Sequence, residues 1–110
     1  MIRHVVAFRL AATDPDRRKV DVAGMRDRLE PLARTVPDVL GLRVHADLGL
    51  VDSHWHAVLV SDHTDTAALA AYQVHPAHVA AVEWVNTVVA DRAVVDFELD
   101  HDARAGVTPG

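Results

Sequence analysis

The chain has 110 residues and a mass of 12.0 kDa, with 50% hydrophobic and 25% charged residues, the size and balance of one globular domain and too little for two. Eleven Lys and Arg against sixteen Asp and Glu give a net charge of −5, and adjacent basic residues occur only at Arg17, Arg18 and Lys19, which argues against nucleic acid or anionic membrane as a partner. The absence of cysteine removes disulfides, thiolate metal sites and cysteine nucleophiles, and no stretch approaches the ~20 apolar residues of a membrane span, so a soluble cytoplasmic protein is expected.

Residues 2–10, IRHVVAFRL, are rich in β-branched and aromatic types and read as a first strand. Thr13 or Asp14 then caps a helix with Pro15 in its first position, and Val22, Met25, Leu29, Leu32 and Val36 recur at steps of three and four. Pro31 lacks an N–H and predicts a kink or a fresh turn before the helix stops near Thr35. In residues 39–48, VLGLRVHADL, Leu40, Leu42, Val44, Ala46 and Leu48 alternate with polar residues or glycine, the period of a half-buried strand. A turn over Gly49–Ser53 and a paired strand over 54–63 complete a hairpin. Thr64 caps a short helix whose stripe is Ala68, Leu69 and Tyr72. Pro76 opens another helix, flanked by His75 and running to about Ala90, and AVVDFEL over 93–99 is the last strand. The final residues, 100–110, have the composition of a flexible tail.

The order β-α-β-β-α-β is that of an α+β ferredoxin-like, split βαβ domain with helices on one face of a four-stranded sheet. With His4, Val6 and Phe8 toward the helices, Val5 and Ala7 point to the other face, which is also largely apolar. A homodimer that covers this second face is therefore expected.

Eight histidines against one tyrosine and two phenylalanines make histidine the place to look for chemistry. His78, Val82, Val85 and Val89 share one helical stripe, so His78 points inward. Its place in the first helical turn disfavours the charged ring. Tyr72 ends the preceding helix and comes near His78 across Pro76. A neutral imidazole beside a phenol suits proton abstraction next to a carbonyl, with the hydroxyl stabilising the oxyanion. The same pair equally suits a core histidine bonded to a tyrosine. His54 and His56, two apart on the expected strand, would share a face, but the surrounding residues supply too few further ligands and no metal is expected. His45, His63, His75 and His101 fall near element ends and are expected at the surface. Trp84 reads as packing.

The segments IRHVVAFRL, LEPLARTVPDVLGLRV, AAYQVHPAHVAAVEWV and DRAVVDFE, with YQVHPAH at 72–78 and His4 in the first strand, together resemble the stress-responsive A/B barrel (Dabb) family over residues 2–99. The resemblance implies a dimeric α+β barrel. Its polyketide cyclase members, of the olivetolic acid cyclase type, further imply acting roles for Tyr72 and His78, with His4 and His56 as cavity histidines; the expected site then has His78, Tyr72 and His4 as catalytic residues and a substrate pocket lined by His56, Phe8, Val58 and Val82. Leu29 stands near the place of a helix tyrosine in those cyclases. The function implied by the resemblance is that of a homodimer with an internal pocket for a small oxo or polyketide-like compound, using no cofactor and cyclising or isomerising it by His/Tyr acid-base chemistry. A non-enzymatic, stress-responsive ligand-binding dimer and a cofactor-free oxygenase on the same barrel are the alternatives.

Overall fold

A computed structural model of the chain describes residues 1–99; the tail expected over 100–110 lies outside that range. The first strand, β1 (Ile2–Leu10), buries every second residue, and Asp14 then caps helix α1 (Pro15–Leu29) by accepting from the N–H groups of Asp16 and Arg17. Pro31 cannot donate, so α1 ends and a fresh turn, α2 (Leu32–Thr35), follows. Val22, Met25, Leu29, Leu32 and Val36 are all buried, as their spacing predicts. Asp38, at φ 65°, turns the chain into β2 (Val39–Ala46); aspartate is among the few residues that enter this region. Strand β3 (Ala57–His63), helices α3 (Thr66–Val74) and α4 (Pro76–Val85) and strand β4 (Val89–Glu98) complete a ferredoxin-like fold.

The four strands are antiparallel in the order β2-β3-β1-β4. One face carries the helices and the core, with Val6, Phe8, Leu42, Val44 and Leu59 under Met25, Leu69 and Val85. Across the other face, Val5 pairs with Val60 on one side and Val95 on the other, and the next row is Val58, Ala7 and Ala93. An ion pair between Arg3 and Asp62, at 2.8 and 3.0 Å, closes one end of this apolar patch. The edge at β2 is covered in part by α1: Glu30 accepts from the N–H of Val44 at 3.0 Å, and Arg26 donates to its carbonyl at 3.2 Å.

Several boundaries differ from those expected. β2 stops at Ala46 and β3 starts at Ala57, because Asp47 closes a local turn: its carboxylate accepts from Gly49 N–H at 2.8 Å and pairs with His54 at 3.1 Å. Leu48 consequently lies outside the sheet, and Leu40 sits at an irregularity between Val39 and Gly41; both are exposed. Asp65, not Thr64, caps α3, accepting from Ala68 N–H at 2.8 Å. Helix α4 ends at Val85, short of Ala90, since β4 must begin at Val89 to pair with Leu10. Trp84 packs over Gly24 beneath the guanidinium of Arg28, 3.8 Å from its ring centroid, and is a packing residue as expected.

Candidate functional site

The break between α3 and α4 determines how His78 is held. Pro76 has no N–H to give the carbonyls left free at the end of α3, and the N–H of Ala77 is taken by the His75 ring at 3.0 Å. The carbonyl of Gln73 is instead reached by His78 Nδ1 at 3.0 Å. A carbonyl only accepts, so Nδ1 carries the proton and Nε2 is left as the basic atom. Burial lowers the pKa of His78, and the nearby His4 and His75 lower it further, against the opposing effect of the Gln73 carbonyl. The ring is thus biased toward its neutral form, with burial the largest cause.

Tyr72 is almost completely buried, and its ring centroid lies 4.3 Å from that of His78. Burial raises the pKa of its phenol, so the hydroxyl stays protonated and serves as a donor. His4 approaches from β1. Its Nδ1 lies 2.5 Å from an oxygen of Asp96, its cross-strand neighbour on β4, and since the carboxylate accepts, Nε2 is the atom left for other partners.

These three side chains open onto a cavity of about 190 Å³ between sheet and helices. The sheet contributes Val6, Phe8, Leu59 and Val94 to its wall, and the helices contribute Leu29, Val82 and Val85. The space is therefore apolar, with histidine and tyrosine gathered at one end and Arg92 at another point on its rim. Of the site residues expected from the sequence, His78, Tyr72, His4, Phe8 and Val82 come together here.

His56 and Val58 do not. The residues of β3 that face the helices are Ala57, Leu59, Ser61 and His63, so Val58 lies on the open face beside Ala7. His56 precedes the strand, and its Nδ1 accepts from Leu10 N–H at 2.9 Å. It lines a separate pocket of about 330 Å³ with Arg18, Asp47 and His54, where burial first, then Arg18 and Arg9, lower its pKa. His54 and His56 thus do not share a strand face, and His54 has Asp47 as its partner. Among the described residues no three His, Asp or Glu side chains are grouped so as to hold a metal ion.

His63, expected at the surface, is fully buried. Its Nε2 meets Ser61 Oγ at 2.8 Å, its Nδ1 has no partner among the described residues, and its ring lies 4.9 Å from that of Tyr72 and 6.3 Å from that of His4. Burial and the neighbouring His4 lower its pKa. Its signal was the strand period itself: counting by twos from Ala57 places it inward. Asp96 and Arg92 had no such signal, since their pairing with His4 and Phe8 depends on the β1–β4 register.

The family model for the stress responsive A/B barrel domain matches residues 2–99. No curated protein matches the chain. Among solved structures, a dimeric ferredoxin-like protein of unknown function from Thermobifida fusca is 32% identical with a TM-score of 0.72, the match covering 89% of this chain and 90% of that one. A dimeric protein of unknown function with a ferredoxin-like fold from Bacteroides fragilis superposes with a TM-score of 0.79 at 24% identity, over 89% of this chain and 95% of that one. The hydroxynitrile lyase of Passiflora edulis shares the fold with a TM-score of 0.72 at 12% identity, over 91% and 94% of the two chains.

Proposed function

The chain belongs to the stress-responsive A/B barrel domain family, and from that premise we propose that it is a homodimer whose internal cavity binds a small oxo compound of polyketide type and promotes its cyclisation or isomerisation. The observation that carries the reading is the pairing of His78 and Tyr72 on an apolar cavity, with the two rings 4.3 Å apart and the imidazole Nε2 without a hydrogen-bond partner among the described residues.

In this mechanism His78 takes a proton from a carbon between two carbonyls, and the Tyr72 hydroxyl donates to the oxyanion that forms. Carbon–carbon bond formation or proton return at another position then completes the step. His4, held by Asp96, is the second group able to move a proton at the same end of the cavity. Phe8 and Val82 pack against the body of the substrate, and the apolar wall excludes water from the enolate. No resident cofactor enters the scheme. The likeness to the olivetolic acid cyclase type of polyketide cyclase rests on the YQVHPAH segment, and the placement of Tyr72 and His78 on one cavity supports it.

Dimerisation is supported by the apolar rows Val60, Val5, Val95 and Val58, Ala7, Ala93 on the open face, and by the dimeric state of the Thermobifida and Bacteroides proteins. Incubation with a linear β-polyketide thioester, followed by chromatography with mass detection, tests the chemistry. Cyclised product formed faster than in buffer, and lost on His78→Ala, is the expected result. No acceleration over buffer overturns the enzymatic reading.

A further inference from the structure

Among the described residues, Arg92 is the one cationic side chain lining a cavity that is otherwise built from apolar groups, two histidines, a tyrosine and a glutamine. It lies on β4 directly opposite Phe8, while Asp96 lies opposite His4. The pair Val6 and Val94 separates the two positions. Four residues of strand, about 14 Å between Cα atoms, thus divide the imidazole end of the site from the guanidinium.

Two contacts fix the arginine. Its Nη2 donates to the side-chain carbonyl of Asn86, the residue that caps α4, and its Cζ sits 5.8 Å from the centroid of the Phe8 ring. The side chain therefore reaches from the sheet edge toward the end of the helix, along the cavity rim. No carboxylate among the described residues lies within ion-pair distance of it. A guanidinium that is held in place, retains N–H donors and has no internal counter-charge is suited to a planar oxyanion presented from the cavity.

We infer that Arg92 determines the substrate class of the proposed site: a carboxylic acid whose carboxylate pairs with the guanidinium while an apolar stretch carries its oxo group to His78 and Tyr72. The inference rests on the cavity being the ligand site, and two probes separate the two claims. The first is 7-oxooctanoate, with a ketone and a carboxylate joined by five methylenes. The second is octan-2-one, in which a methyl group replaces the carboxylate.

Binding of each is followed at pH 7 by shifts of the backbone amides of Val6, Leu59 and Val82 in titrations monitored by NMR. The expected result is about fivefold or greater preference for the oxo acid, consistent with one charge-assisted contact at a partly open site. Arg92→Gln removes that preference and leaves octan-2-one within about twofold of the parent, which also shows that the cavity is intact; Arg92→Lys retains part of it. Equal binding of the two probes to the parent, or a preference that survives in Arg92→Gln, overturns the role of Arg92 while leaving the cavity as the ligand site. If neither probe shifts the cavity amides, the cavity reading itself fails, and this inference with it.

Discussion

The two faces of the sheet are made from the same strands, one residue out of phase, and they hold opposite kinds of chemistry. On the helix-covered face, His4, Ser61 and His63 sit among Val6, Phe8 and Leu59, and each polar group is placed by a specific neighbour such as Asp96 or Tyr72. The open face is almost featureless at its centre, where Val60, Val5 and Val95 lie side by side. Period-two alternation thus separates a histidine-bearing interior from an apolar outer surface, and a shift of one residue in register would exchange them. The sharpest tests change one face and ask whether the other notices.

The largest effect is expected on the open face. Val5→Asp puts a carboxylate at the centre of the apolar rows, between Val60 and Val95. In a symmetric dimer two such charges become buried near each other, at a cost of several kcal/mol each. Light scattering at micromolar concentration should give twice 12.0 kDa for the parent and 12.0 kDa for the variant. A variant that keeps the parent's mass would show that this face is not the interface.

On the other face, His78→Ala should reduce turnover by roughly 10²-fold, the range for a lost general base. Tyr72→Phe keeps the buried ring and removes only the hydroxyl, so a loss of about 10²-fold, the lower end for one lost oxyanion donor, is expected. Neither change should alter the dimer mass. Because the base must be neutral, and burial lowers the pKa of His78, the rate should rise with pH through a value below the usual histidine range and level off above it. A rate that falls over that interval would remove His78 from the base role.

Much of this division was legible in the sequence. The helix stripe from Val22 to Val36, the cap at Asp14 and the break at Pro76 are local signals, and each is where its spacing placed it. His4, Phe8, Tyr72, His78 and Val82 could be gathered for the same reason: each lies on a strand or helix stripe whose inward direction the neighbouring apolar residues set. The differences lie at the two ends of β3. His56, placed in the pocket by the resemblance, instead precedes β3, where Asp47 closes the turn, and its ring is bound to the backbone of Leu10. His63 was assigned to the surface as a strand-end residue, although the inward period from Ala57 reaches it. Long-range partners such as Asp96 and Arg92 needed the β1–β4 register, which no local pattern carries.

The smallest effect separates the interior's architecture from its chemistry, and concerns His63 and Ser61. Both are fully buried, they bond to each other, and His63 retains one ring nitrogen without a partner among the described residues. His63→Phe alone strands the Ser61 hydroxyl and should cost about 1–3 kcal/mol. Adding Ser61→Ala removes both polar groups together, so the double variant should lie close to the parent at pH 7.5. Acid should then distinguish them. Burial lowers the pKa of folded His63, so the unfolded chain binds the extra proton first, and stability falls as pH drops from the ordinary histidine value toward the lowered one. Lacking that group, the double variant should lose less stability than the parent between pH 7.5 and 5.5 in urea titrations, and only part of the parent's acid sensitivity should remain, contributed by His78 and His56, whose pKa values are lowered in the same direction. An unchanged acid response would mean that His63 takes up its proton as readily in the folded chain as in the unfolded one, and that its burial beside Tyr72 and His4 does not hold it neutral.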